Sequence, residues 1–209
     1  MIEHNPAPNE TARIEAFSDG VFAIAITLLI LEIQVPPQTP HGGLRAALVG
    51  LWPSYLAFVA SFMTIGVMWL NHHRLFTLIN QKDDWLIAFN LILLLGITWL
   101  PFPTALLAEH LQGPRVDQKT AAIVYAGSFF ALSIVFNVMW RYACRAKIVY
   151  DDLNVIAITK QYTLGPILYA VLVVVGFFSA EWCLVLSILI ALYFALPPSL
   201  WSRRTSTIG

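Results

Sequence analysis

Six runs of about twenty mostly apolar residues, set close together in a chain of 209, restrict this sequence to a bundle of membrane-spanning helices. They fall at roughly 14–34, 52–71, 85–108, 120–143, 162–180 and 182–200. Pro36, Pro37 and Pro40 end the first, and Gly42-Gly43 extends that break. Leu44 to Gly50 reads as a short interfacial helix ahead of Trp52-Pro53, which opens the second span. Gly113-Pro114 separates the third and fourth spans, and the fifth and sixth meet at Ser179-Ala180-Glu181-Trp182.

Only 11% of the residues are charged, against about a quarter in a soluble domain, so no water-facing surface is available. The short polar connections predict one membrane domain over residues 1–209, an all-α integral membrane protein. Net charge near zero gives no basic excess for nucleic acid. No phosphate-cradling Gly-Lys-Ser/Thr loop occurs. Neither does a Ser-His-Asp set or a pair of intramembrane carboxylates, so neither an enzyme nor a cofactor is expected. The start Met-Ile-Glu-His-Asn-Pro-Ala-Pro lacks the basic opening and cleavage site of a signal peptide, so the first span should be retained.

With the N-terminus inside, nine basic residues face the cytoplasm: Arg13, Arg74, Lys82, Arg141, Arg145, Lys147, Lys160, Arg203 and Arg204. Three face outward: Arg45, Arg115 and Lys119. That imbalance predicts an N-in, C-in topology in the cell membrane. Cys144 and Cys183 then lie on opposite sides of the bilayer and should not pair. Trp52, Trp85, Trp99, Trp140, Trp182 and Trp201 fall near span ends and read as interfacial anchors. Arg141 and Arg145 charge only the inner end of the fourth span, which is anchoring and not a voltage sensor.

Function is expected in the first helix, where ionisable residues run directly into the apolar span. A carboxylate such as Asp19 at a membrane boundary needs a partner, a water-filled cavity or a task. On a 3.6-residue helix Ile24, Leu28 and Leu31 share one stripe, Phe17 and Val21 extend it inward, and Thr27 flanks it. From spacing alone such a stripe is a packing surface.

Arg13-x-x-x-Phe17-Ser18-Asp19, followed by an apolar run ending Leu-Glu-Ile, resembles the signature of the transmembrane protein 175 family, whose animal members are lysosomal potassium and proton channels. With one six-span repeat, the chain is similar to the prokaryotic members. The resemblance implies a homotetramer with four first helices around a central pore. It also implies that rings of Ile24, Leu28 and Leu31 close that pore, and that Thr27 forms a hydroxyl layer acting in selectivity. Rings of branched side chains can block hydrated ions sterically and by dewetting. No Thr-Val-Gly-Tyr-Gly filter is present, so selectivity would come from side chains and pore diameter, with weak discrimination of potassium over sodium.

Asn71-His72-His73-Arg74 ends the second span level with Arg13 and Asp19. Asp19 is expected to accept hydrogen bonds from Arg13, His72, His73 or the Trp69 indole, and the resemblance implies that the Phe17-Ser18-Asp19 motif ties the pore helix to second-span polar groups. Adjacent histidines diverge by about 100 degrees on a helix, so no fixed metal site is expected and potassium ions would pass only transiently. Either histidine has the chemistry of a pH sensor. Glu32 either concentrates cations at a pore mouth or is a solvated terminal charge. The leading expectation is a passive potassium-permeable channel. The alternative is a proton-coupled secondary transporter working through Asp19 and the histidines, which the absence of internal repeats and of midplane ionisable groups argues against.

Overall fold

The computed structural model describes residues 11–37, 43–151 and 153–195. Pro40, Gly42, Trp201, Arg203, Arg204 and the end of the expected sixth span, from 196 on, lie outside the described residues. Helix α1 spans Ala12–Leu28 and tightens into a 3-10 turn over Leu29–Glu32. The short helix α2 covers Leu44–Gly50, as expected from its sequence, and α3 covers Trp52–Phe76. Then come α4 (Asp84–Trp99), α5 (Pro101–His110), α6 (Arg115–Arg145), α7 (Val155–Gly176) and α8 (Ala180–Ala195).

Helix ends follow local chemistry. Pro53 sits in the first turn of α3, where its missing N–H is no loss. The Asp83 carboxylate caps α4 by accepting from the Leu86 amide at 2.8 Å. Pro101 and Pro103 cannot donate to the preceding turn, which divides the expected third span into α4 and α5. Leu100 between them keeps helical angles, so the pair still forms one apolar stretch, Asp84–His110.

Among the described residues five helical stretches are long and apolar enough to cross a membrane: Ala12–Glu32, Trp52–Phe76, Asp84–His110, Arg115–Arg145 and Val155–Gly176. The fifth differs from its expected bounds of 162–180. Asn154 accepts from the Ala157 amide at 3.1 Å and starts α7 at Val155. Lys160 simply points outward from an early turn, because an exposed charge does not interrupt a helix. The last helix, α8, is apolar but counts only 16 described residues.

Helix α6 forms the centre of the bundle and contacts α4, α5, α7 and α8, while α3 packs on α5, α8 and α1. Small residues set the closest approaches. A Cβ on Gly176 would stand 3.3 Å from the Ala122 backbone of α6, a tight contact that glycine avoids where α7 lies against α6. Tyr125, Phe129 and Trp140 of α6 are fully buried in the core. Trp140 therefore departs from the expected interfacial role. Its indole donates to the Thr159 hydroxyl of α7 at 2.9 Å, and α7 covers the ring that was expected to face the headgroups. Trp52, Trp85, Trp99 and Trp182 are exposed at helix ends. Buried hydroxyls pair across helices, with Ser61 of α3 and Thr104 of α5 at 2.8 Å, which satisfies groups that would otherwise be costly in an apolar interior. A bridge between Ile79 and Val149 joins the α3–α4 and α6–α7 connections, and the Tyr142 hydroxyl donates to Asp83 beside it. Cys144 and Cys183 are free thiols.

Candidate functional site

Helix α1 carries two distinct apolar stripes. Ser18, Phe22, Ala25 and Leu29, at spacings of four, three and four, are buried against α3 and α4. On the reverse side Phe17, Ile24, Leu28 and Leu31 face away from the rest of the chain, with Ile24 59%, Leu28 40% and Leu31 63% exposed. Thr27 is exposed beside them, and its hydroxyl donates to the Ile24 carbonyl at 2.9 Å. Val21 departs from the expected stripe: it is half-buried and packs on the core, because it lies between the two faces.

A polar anchor holds the buried side of α1. The Ser18 hydroxyl donates to the Ile14 carbonyl at 2.8 Å and accepts from the Asn90 amide of α4 at 3.0 Å. The Asn90 carbonyl oxygen lies 2.8 Å from His72 Nε2 of α3. An amide oxygen can only accept, so Nε2 carries the proton. All three residues are at most 1% exposed, and the imidazole is held between the Phe22 and Phe76 rings at 5.4 and 4.6 Å. One hydrogen-bonded chain thus locks three helices in register.

A second set of contacts lies at the exposed edge of the same seam. Asp19 accepts from the Trp69 indole at 2.8 Å. The Trp69 ring stacks on His73 at 6.4 Å, and His73 Nδ1 stands 3.8 Å from the Glu15 carboxylate, which also accepts from the Thr11 hydroxyl at 2.6 Å. Of the expected partners of Asp19, only Trp69 reaches it. His72 turns inward to Asn90, His73 pairs with Glu15, and Arg13 and Phe17 sit on the exposed side of α1 instead of joining the anchor. The physical reason is angular: consecutive residues on a helix point about 100 degrees apart, so Ser18 and Asp19 reach different neighbours, and so do His72 and His73.

Asn90 is the member that sequence reasoning missed. Its signal was an amide inside an otherwise apolar run, Trp85 to Leu95, where a lone polar group needs a partner. Among the described residues no three His, Cys, Asp or Glu side chains gather as metal ligands would. Glu32 lies at the far end of α1 and shares with Glu109 an open cleft of about 490 Å³ between the α1 turn, the start of α3 and the end of α5.

Apolar helices of spanning length, with a first helix fastened on one side and bare on the other, define a multi-pass all-α membrane protein. The chain belongs to the TMEM175 family. The family described as "Endosomal/lysosomal potassium channel TMEM175" matches residues 13–101, which include α1, the anchor and α4. A potassium channel of Chamaesiphon minutus is 50% identical over 202 residues, covering 94% of this chain and 98% of that one. A potassium channel of Streptomyces collinus is 43% identical over 190 residues, covering 89% and 92%. The crystal structure of a lysosomal potassium-selective channel TMEM175 homolog from Chamaesiphon minutus superposes with a TM-score of 0.82 at 50% identity, over 90% of this chain and 97% of that chain.

Proposed function

We propose that this protein is a potassium-permeable cation channel of the cell membrane, formed by four copies whose α1 helices surround a central pore. The observation that carries the proposal is the division of α1 into a fastened face and a bare one. Ser18, Phe22, Ala25 and Leu29 are used up within the subunit, which leaves Ile24, Leu28 and Leu31 free to meet their counterparts about a symmetry axis. Three aliphatic rings stacked over two turns would form a constriction that excludes hydrated ions until the helices separate. Thr27, whose hydroxyl oxygen remains an available acceptor, would supply the polar layer within it.

The anchor gives the pore helix its register. Asn90 and His72 hold Ser18 from within the subunit, Trp69 holds Asp19 at its edge, and the gate-forming stripe is thereby presented on the opposite side. Asp19 acts here as a hydrogen-bond acceptor for positioning and not as an ion ligand. With the N-terminus and C-terminus inside, Glu32 stands at the outer end of the pore helix. The potassium-channel names of the Chamaesiphon and Streptomyces relatives, and the potassium-selective description of the Chamaesiphon structure, support the choice of ion.

Reversal potentials of purified protein in liposomes, measured across potassium and sodium gradients, test this function. A potential that follows the potassium gradient and ignores an imposed proton gradient is expected. Flux driven by the proton gradient would replace the channel with a coupled transporter. Native mass spectrometry should give a tetramer, and a monomer that still conducts would refute the shared pore.

A further inference from the structure

At the end of the bundle remote from Asp19, the start of α6 and the α7–α8 turn enclose a cleft of about 430 Å³ that the channel function does not use. Its α6 wall carries Arg115 and Lys119, one turn apart, with Gln118 beside them. The opposite wall carries Ser179 and Glu181, whose side chains are joined by a hydrogen bond of 2.7 Å from the Ser179 hydroxyl to the carboxylate. No carboxylate lies within ion-pair distance of Arg115 or Lys119 among the described residues. The Lys119 ammonium is steadied instead over the Phe177 ring, 5.1 Å from its centre. The close approach of Gly176 to Ala122 sets the width of the cleft, because it holds the turn against α6.

The surroundings of the cleft are those of a membrane boundary. The spanning stretch of α6 begins at Arg115 and that of α7 ends at Gly176. Phe177, Phe178 and Trp182 project next to the polar walls with 46%, 85% and 67% exposure, an apolar fringe on a site whose side chains are otherwise mostly polar or charged. A soluble anion has no use for that fringe. Two cations on one wall and one carboxylate on the other, a few residues from exposed aromatics, complement a headgroup that carries a phosphate and an ammonium above acyl chains.

We propose that this cleft binds an aminophospholipid of the phosphatidylethanolamine type, with the phosphate against Arg115 and Lys119, the primary ammonium donating to Glu181, and the acyl chains along Phe177, Phe178 and Trp182. The three N–H donors of a primary ammonium satisfy Glu181, which a quaternary choline cannot do. A phosphoglycerol headgroup would fit the cations and leave the carboxylate unmatched.

Native mass spectrometry of the purified assembly, titrated in turn with phosphatidylethanolamine, phosphatidylcholine and phosphatidylglycerol of one acyl composition, tests the assignment. Wild type should retain phosphatidylethanolamine most strongly. Arg115→Gln and Lys119→Gln should each weaken all three phospholipids about two- to fivefold. Glu181→Gln should leave phosphatidylglycerol binding intact and abolish the preference for ethanolamine over choline. These side chains are exposed, so thermal melting without lipid should match wild type and separates lost binding from lost folding. Equal retention of the three lipids by wild type, or an unchanged preference in Glu181→Gln, would overturn the proposal. So would competition by soluble glycerophosphoethanolamine at the same concentration as the lipid, which would make the site one for a free phosphate ester.

Discussion

Phe22 and Ile24 are two positions apart on α1 and should respond oppositely to truncation. Phe22 is 1% exposed, in contact with the His72 ring, and borders a half-open cavity of about 60 Å³ shared with Leu93, Ile97 and Tyr169. In a bilayer the transfer of apolar surface from water contributes little, because lipid tails are as apolar as the core. What Phe22→Ala loses is packing. Removing about 100 Å³ of ring at roughly 24 cal/mol per Å³ of residual cavity costs about 2.4 kcal/mol. Collapse of the site is impeded, because the existing cavity would merge with the new one and the Ser18–Asn90–His72 chain holds the backbone in place. Ile24→Ala opens no cavity within the subunit and should cost less than about 0.5 kcal/mol. Equilibrium unfolding of both variants in mixed micelles, read by tryptophan fluorescence, compares them directly, and liposome flux on the same preparations reports the pore. Ile24→Ala should fold like wild type and leak more. If it destabilised the protein as much as Phe22→Ala while leaving flux unchanged, the two faces of α1 would be assigned the wrong way round.

Ile24→Asn and Leu28→Asn, each an amide placed in the proposed lumen, should raise ion leak and relax potassium over sodium discrimination, whereas uniformly lower flux from folded protein would move the pore elsewhere. Thr27→Val should weaken selectivity without closing the pore, as read from reversal potentials. Asn90→Ala strips partners from both Ser18 and His72 and should destabilise the fold by about 1–3 kcal/mol in the same unfolding assay. Trp69→Phe removes the donor to Asp19 and should harm stability more than Asp19→Asn, which keeps an acceptor oxygen; the reverse order of melting temperatures would give Asp19 a role beyond positioning.

The helices of this protein are written in local chemistry. Apolar runs of spanning length, prolines at 36, 37, 53, 101 and 103, and caps at Asp83 and Asn154 place the elements with little help from distant residues. The short α2 and the aliphatic stripe of Ile24, Leu28 and Leu31 are legible for the same reason, since both depend on periodicity within one segment. Membership of the family was legible in Arg13, Phe17, Ser18 and Asp19, though two of those four side chains take no part in the anchor. Residues far apart in the chain decide the rest. Trp140 and an interfacial tryptophan look alike in sequence, and only the docking of α7 onto α6 buries the indole against Thr159. Asp19 and Ser18 are neighbours and both polar, yet helix rotation sends one to Trp69 and the other, 72 positions along the chain, to Asn90. Spacing tells which side chains share a face of α1, but not which face is buried; that choice is made by the helices packed against it, because hydrogen bonds between helices form only where tertiary structure brings donor and acceptor within about 3 Å.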